Sequence, residues 1–204
     1  MKNDFKQYPI TISLIGLIVI VYIYSTFKYG IEMNVFQGIE AGGFNPFLVL
    51  KGKQFYRLIT ANFIHFGLMH IFCNAYSLYN LGMIMERILG QKRYLLVVAI
   101  SMLSTTFIPL LMYVINGTGI NSVMGGISGV IFGLIGSLFA LALLYKNVYM
   151  YLFKQIASSV VLMLFLSFML PSISLTGHIG GMIGGFVITY LNEKKKQSRK
   201  KLIN

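Results

Sequence analysis

The apolar residues of this chain come in long runs, not in the period-two alternation of a strand or the one-sided stripe of a soluble helix. Six runs approach or exceed the length of about 20 residues that carries a helix across a bilayer. They are Ile10–Phe27, Leu58–Met85, Tyr94–Ile115, Ser122–Tyr145, Val148–Leu170 and Thr176–Leu191. The last is short for a span and is expected to stand untilted or to borrow Ile173–Leu175. One long connection, Lys28–Arg57, separates the first two runs. It mixes Phe36, Phe44, Phe47, Leu48, Val49 and Leu50 with Gly30, Gly38, Gly42 and Gly43. That mixture predicts a loop lying in the headgroup layer, with one short helical piece. The predicted fold class is all-α: a polytopic membrane bundle of six transmembrane helices.

Composition agrees. Of 204 residues, 56% are hydrophobic and 11% charged, against about 25% charged in an ordinary soluble domain. The net charge of +12 raises the question of nucleic acid, but its placement answers it. Six of the seventeen basic residues (Lys194, Lys195, Lys196, Arg199, Lys200 and Lys201) crowd the last eleven positions, and most others flank apolar runs. This distribution fits topology signals and anionic headgroups, not a groove-reading surface. With the N-terminus inside, thirteen basic residues fall on the cytoplasmic side and four on the outer side, all four in the long first loop. Both termini are therefore expected in the cytoplasm. The chain divides into a cytoplasmic N-terminus (1–9), a membrane domain (10–192) and a basic cytoplasmic tail (193–204). No small-residue cleavage site follows the first run, so it reads as a retained span. A single cysteine, Cys73, leaves no disulfide framework and no cysteine-based metal site.

Orientation converts sequence position into depth. Ser128 lies eighteen residues above Lys146, His178 fifteen above Glu193 and His70 sixteen above Glu86. On straight helices these separations are roughly 27, 22 and 24 Å, which puts all three polar residues in the outer third of the bilayer. Lateral contact follows from glycine. Gly125, Gly129 and Gly133 recur at four-residue spacing in the fourth run, and Gly177, Gly181 and Gly185 in the sixth, with Gly180 and Gly184 alongside. Small residues at this spacing let helix backbones approach closely in lipid. A seam between the two runs would set the Ser128 hydroxyl beside the His178 imidazole.

Each residue has a plainer reading. Gly-x-Ser-Gly at Gly126–Gly129 arises easily in a glycine- and serine-rich chain. Here, however, Gly125 and Gly126 turn the chain into a helix whose first N–H groups suit a developing oxyanion. His178 reads as a buried, carbonyl-bonded histidine or as a general base, and an ionisable residue inside a membrane favours the second. His70 and Asn74 share a helix face and supply N–H donors for a carbonyl oxygen, or else interhelical hydrogen bonds. His65 points elsewhere and reads as a packing anchor. No Asp or Glu falls inside a span, which excludes paired-carboxylate proteolysis and an acid behind His178. No His-Glu-x-x-His is present, and three histidines without a carboxylate base make a poor zinc site. What remains is a serine–histidine dyad.

These residues resemble the rhomboid family of intramembrane serine proteases. The likeness runs through His65–Asn74, with paired histidines and His-x-x-x-Asn, and through Tyr56-Arg57 before it. It extends to Glu86–Gly90, Gly126–Gly129 and the Gly177–Gly185 run, which holds His178 in a His-x-x-Gly-x-x-x-Gly pattern. The resemblance implies a six-helix bundle with Ser128 as nucleophile, His178 as base, and His70, Asn74 and the Ser128 N–H as oxyanion hole. It also implies a first loop embedded laterally and a fifth span that gates access. Phe132 departs from the family pattern, which often has Tyr beneath the imidazole. The expected activity is cofactor-free, metal-free cleavage of a transmembrane protein in the plasma membrane, near its outer face. An inactive scaffold is the first alternative, though such relatives typically lack the serine or histidine. A small transporter is the second, disfavoured by missing intramembrane carboxylates and repeats.

Overall fold

The computed structural model describes residues 2–169 and 174–203. Every element among the described residues is helical apart from one isolated bridge, Phe44 with Met124. A short α1 (Lys2–Gln7) leads into α2 (Pro9–Tyr29). The long connection then forms two short helices, α3 (Val35–Glu40) and α4 (Pro46–Leu50), where one was expected. Each starts on an asparagine cap: Asn34 accepts from the Gln37 N–H at 3.0 Å and Asn45 from the Leu48 N–H at 3.0 Å. Next come α5 (Arg57–Thr60) with a 3-10 turn (Ala61–Phe63), then α6 (Leu68–Ser77), a π turn (Leu78–Gly82) and α7 (Met83–Leu89). The remaining helices are α8 (Gln91–Asn116), α9 (Ser128–Leu144), α10 (Lys146–Met169) and α11 (Leu175–Ile203).

Among the described residues, three helices, α2, α8 and α10, are long and apolar enough to cross a membrane. A fourth span arises if the two pieces 57–63 and 68–89 count as one, but they bend by 93°. The second apolar run is thus not the single helix expected from Leu58 to Met85. Its backbone turns extended at Ile64 (ψ 129°) and again at Gly67, so α6 begins only at Leu68. The fourth run likewise starts its helix at Ser128 instead of Ser122, because Gly126 adopts φ +111°, a left-handed conformation no α-helix tolerates. Its 17 residues make α9 about 26 Å long. The sixth run extends in both directions and continues helically through the basic tail to Ile203. Leu170, the expected end of the fifth run, and most of the following loop at Pro171–Leu175 lie outside the described residues.

Helix α9 occupies the centre, with thirteen of its 17 residues buried. A helix apolar on every side belongs in such a position. Glycine brings α11 against it: a Cβ on Gly181 would strike the Gly129 carbonyl, and one on Gly185 the Gly133 carbonyl. Gly180 and Gly184 face a different neighbour, Ser104 of α8, while Ser101 and Thr105 of α8 fill the space over Gly133 and Gly129. The seam is therefore a three-helix junction of glycine and hydroxyl residues.

The two buried carboxylates lie away from Ser128 and His178, Glu86 on α7 and Glu193 fifteen residues beyond His178 on α11. Glu86 accepts from the N–H groups of Ile10 (3.0 Å) and Thr11 (2.8 Å), capping α2 just after Pro9 opens it. Glu193 pairs with Arg93 at 2.5 Å and accepts from the Tyr145 hydroxyl at 2.9 Å. Each acid holds two helices together and stays clear of the serine and histidine.

Candidate active site

Ser128 is the first residue of α9, and the loop before it is tied down on several sides. Phe44 and Met124 exchange backbone hydrogen bonds of 2.8 and 2.9 Å, and the Gly126 N–H reaches the Ala61 carbonyl at 2.9 Å. Asn45 adds bonds from its amide nitrogen to the carbonyls of Ile120 and Ser122, both 2.8 Å. The loop that supplies these contacts is itself pinned by buried Arg57, which donates to the carbonyls of Ile39 and Gly43, each at 2.7 Å. Ser128 is thereby fixed in space before any helix packing is considered.

His178 falls in the first turn of α11, whose N-terminus is capped by Ser174 accepting from the Gly177 N–H at 3.1 Å. The imidazole Nε2 lies 2.8 Å from Ser128 Oγ. Its ring stacks on Phe132, with centroids 4.2 Å apart and planes 17° from parallel. Phe132 is one helical turn after Ser128, so a single helix presents both the hydroxyl and the platform. The other ring nitrogen, Nδ1, is 2.8 Å from the hydroxyl of Ser167 on α10.

His70 and Asn74 approach from α6. A Cβ built on Gly126 would lie 2.7 Å from His70 Nε2 and 3.6 Å from Asn74 Nδ2, so both nitrogens converge beside the loop that ends in Ser128. The Phe66 N–H donates to His70 Nδ1 at 3.4 Å, which leaves the proton on Nε2, facing Gly126. One Asn74 amide hydrogen goes to the His70 carbonyl at 3.0 Å and the other is left for the site. The Ser128 N–H, at the first position of a helix, has no carbonyl behind it in the helix. Two side-chain nitrogens thus meet beside Gly126, two residues before Ser128 and its hydroxyl–imidazole contact with His178. His65, buried nearby, bonds the Phe63 carbonyl at 3.2 Å and meets the His70 ring edge-on at 5.0 Å. Among the described residues, no three His, Cys, Asp or Glu side chains converge as a metal ion would need.

The rhomboid domain family model matches residues 52–195, well over half of the chain. The chain belongs to the rhomboid family. This rhomboid is 28% identical over 200 residues to YdcA of Bacillus subtilis, a protein provisionally named a rhomboid protease, with 95% of this chain and 94% of that one covered. It is 29% identical over 148 residues to the rhomboid protease GluP of the same organism, covering 68% of this chain but only 26% of GluP. RHOMBOID-like protein 4 of Arabidopsis thaliana is 28% identical over 155 residues, covering 74% of this chain and 37% of its own. The chain thus spans nearly all of YdcA and about a quarter of GluP. Rhomboids are in general intramembrane serine proteases, and the apolar helices of this member make it a multi-pass membrane protein.

Sequence reasoning missed Ser167 entirely, since it sits in no motif and eleven residues before His178. It also missed Asn45 and the hydroxyls of α8. Ser167 is the one polar residue among the apolar positions 160–170, but Ser158 and Ser159 stand on the same run and nothing in the sequence set it apart from them.

Proposed function

We propose that this rhomboid is an active intramembrane serine endopeptidase. Ser128 is the nucleophile, His178 the general base, and His70, Asn74 and the Ser128 N–H form the oxyanion hole, with Gly126, Gly129 and Phe132 in support. The observation that carries this reading is the 2.8 Å contact between Ser128 Oγ and His178 Nε2, held over the Phe132 ring.

The reaction follows from the positions. His178 Nε2 takes the hydroxyl proton as Ser128 Oγ attacks the scissile carbonyl carbon. Negative charge grows on the carbonyl oxygen, where donors that are already oriented cost no reorganisation. His178 then returns the proton to the leaving amine, and an acyl-enzyme remains. Water deprotonated by the same imidazole hydrolyses the ester and regenerates Ser128. No cofactor enters.

The bilayer sets the substrate. A transmembrane helix hides its carbonyls in i to i−4 bonds, so the cleaved segment must unwind, and small or helix-breaking residues are expected there. Six spans with both termini cytoplasmic accommodate the charge distribution: α2, the helix from Leu68 to Leu89, α8, α9, α10 and the first part of α11. With that orientation the site opens toward the extracytoplasmic side of the plasma membrane, about one third of the way in. The 1–9 and 193–204 segments then lie in the cytoplasm, and the α3–α4 loop rests in the outer headgroup layer.

Reconstitution tests this. Proteoliposomes holding the wild-type protein and a single-span reporter with a glycine-rich outer juxtamembrane segment should release a fragment. Ser128→Ala protein at the same density should release none. Equal release from both would reject the assignment, and release from neither would favour a non-proteolytic scaffold.

A further inference from the structure

We infer that Ser167 is a positioning residue for His178, holding the imidazole in the tautomer with its proton on Nδ1 so that Nε2 faces Ser128 as a free base. The inference rests on the reading of His178 as general base. It adds a member to the polar chain behind His178, where no carboxylate stands among the described residues.

Helix α10 is otherwise an unpromising source of a functional group. Of its 24 residues only Val160 and Ser167 are buried. Serine within a helix commonly donates to the carbonyl four residues back, and Ser167 does so to Met163 at 2.7 Å. Its oxygen is at the same time 2.8 Å from His178 Nδ1. A hydroxyl has one hydrogen. Spent on the Met163 carbonyl, which can only accept, it leaves the Ser167 oxygen as an acceptor and requires Nδ1 to be the donor.

Counting bonds decides between the two tautomers. With the proton on Nδ1, three hydrogen bonds run in one direction: Ser128 hydroxyl to Nε2, Nδ1 to Ser167, Ser167 hydroxyl to Met163 carbonyl. With the proton on Nε2, Ser167 must turn its hydrogen onto Nδ1 and abandon Met163, and two bonds remain. One net hydrogen bond corresponds to roughly a five-fold preference. The same geometry serves the next step. When Nε2 has taken the Ser128 proton, the Nδ1–H of the imidazolium still points at the Ser167 oxygen, and nothing must rotate. A neutral hydroxyl thus takes the orienting part of an acid's role, without supplying its charge.

The test uses full-length protein in detergent or proteoliposomes. Ser167→Ala deletes one hydroxyl, leaves a good helix former in place and is expected to fold. It should lower kcat about ten-fold, the upper range for one lost hydrogen bond, with KM within about two-fold because Ser167 does not touch substrate. Ser167→Thr keeps a hydroxyl able to bond the same carbonyl and should recover most of kcat. Histidine 15N NMR, with the His178 signals assigned by their loss in His178→Ala, should show the Nδ1–H form in wild type and in Ser128→Ala, and a mixture in Ser167→Ala. Wild-type kcat in Ser167→Ala, an unchanged His178 tautomer in that variant, or Thr falling as far as Ala would each overturn the inference. The NMR arm needs no turnover, so it stays decisive if Ser128 proves not to be the nucleophile; persistent cleavage by Ser128→Ala would count against that reading alone.

Discussion

Helices α9 and α10 are consecutive, joined at Tyr145, and each contributes one serine to the chain of contacts through His178. In every other respect they are opposites. The first buries thirteen of 17 residues, the second two of 24. The difference lies in how each is held. α9 touches α11 and α8 through backbone and small side chains, where dispersion is dense and nothing yields. α10 meets its neighbours through larger groups on one side, such as Phe153 against Phe139 with ring centroids 4.9 Å apart, and leaves most of its remaining surface exposed. The proposed nucleophile thus sits on the more deeply buried of the two helices, and the residue proposed to orient the base on the more exposed one.

This contrast is sharpest at the glycine seam, where the largest effect is expected. Gly181→Ala should destabilise the protein by about 3 kcal/mol, since its new methyl group meets the Gly129 carbonyl and neither backbone can retreat. Thermal unfolding in detergent would register it, together with loss of cleavage. A stability close to wild type would mean that α9 is not clamped as described. Next in size is Gly126→Ala, which combines a φ of +111° with a Cβ lying 2.7 Å from His70 Nε2. It should cut kcat about 100-fold by displacing the oxyanion donors, with a smaller stability loss of about 1–2 kcal/mol from backbone strain. The ratio of kinetic to thermal damage separates it from the seam variant. Smallest of all is Val161→Ala on the exposed face of α10, 67% accessible. It should shift stability by no more than about 0.5 kcal/mol; a loss as large as that of Gly181→Ala would erase the distinction between the two helices.

The same contrast governs what could be read from the residues beforehand. Glycine at four-residue spacing is a packing instruction in lipid, so the approach of α9 and α11, and with it the meeting of Ser128 and His178, was legible. The spacing did not say that Gly180 and Gly184 turn to α8, because nothing in the α8 sequence marks Ser104 as a partner. The break at 64–67 was hidden for a similar reason. Hydropathy counts apolar residues and is blind to the extended backbone at Ile64 and Gly67, which the burial of His65 and the Gly126–Ala61 bond make worthwhile. Asn34 and Asn45, two ordinary N-caps, were the overlooked markers of α3 and α4. Ser167 was out of reach, since its importance depends on which way an almost featureless helix faces.

Covalent trapping at Ser128 tests the central claim most directly. Purified wild-type protein treated with a fluorophosphonate should carry one adduct, and mass spectrometry should place it on the peptide containing Ser128. His178→Ala should label at least about 100-fold more slowly, as loss of a general base requires, and Ser128→Ala should not label. An adduct on any other residue, or undiminished labelling of the Ser128→Ala protein, would contradict the account.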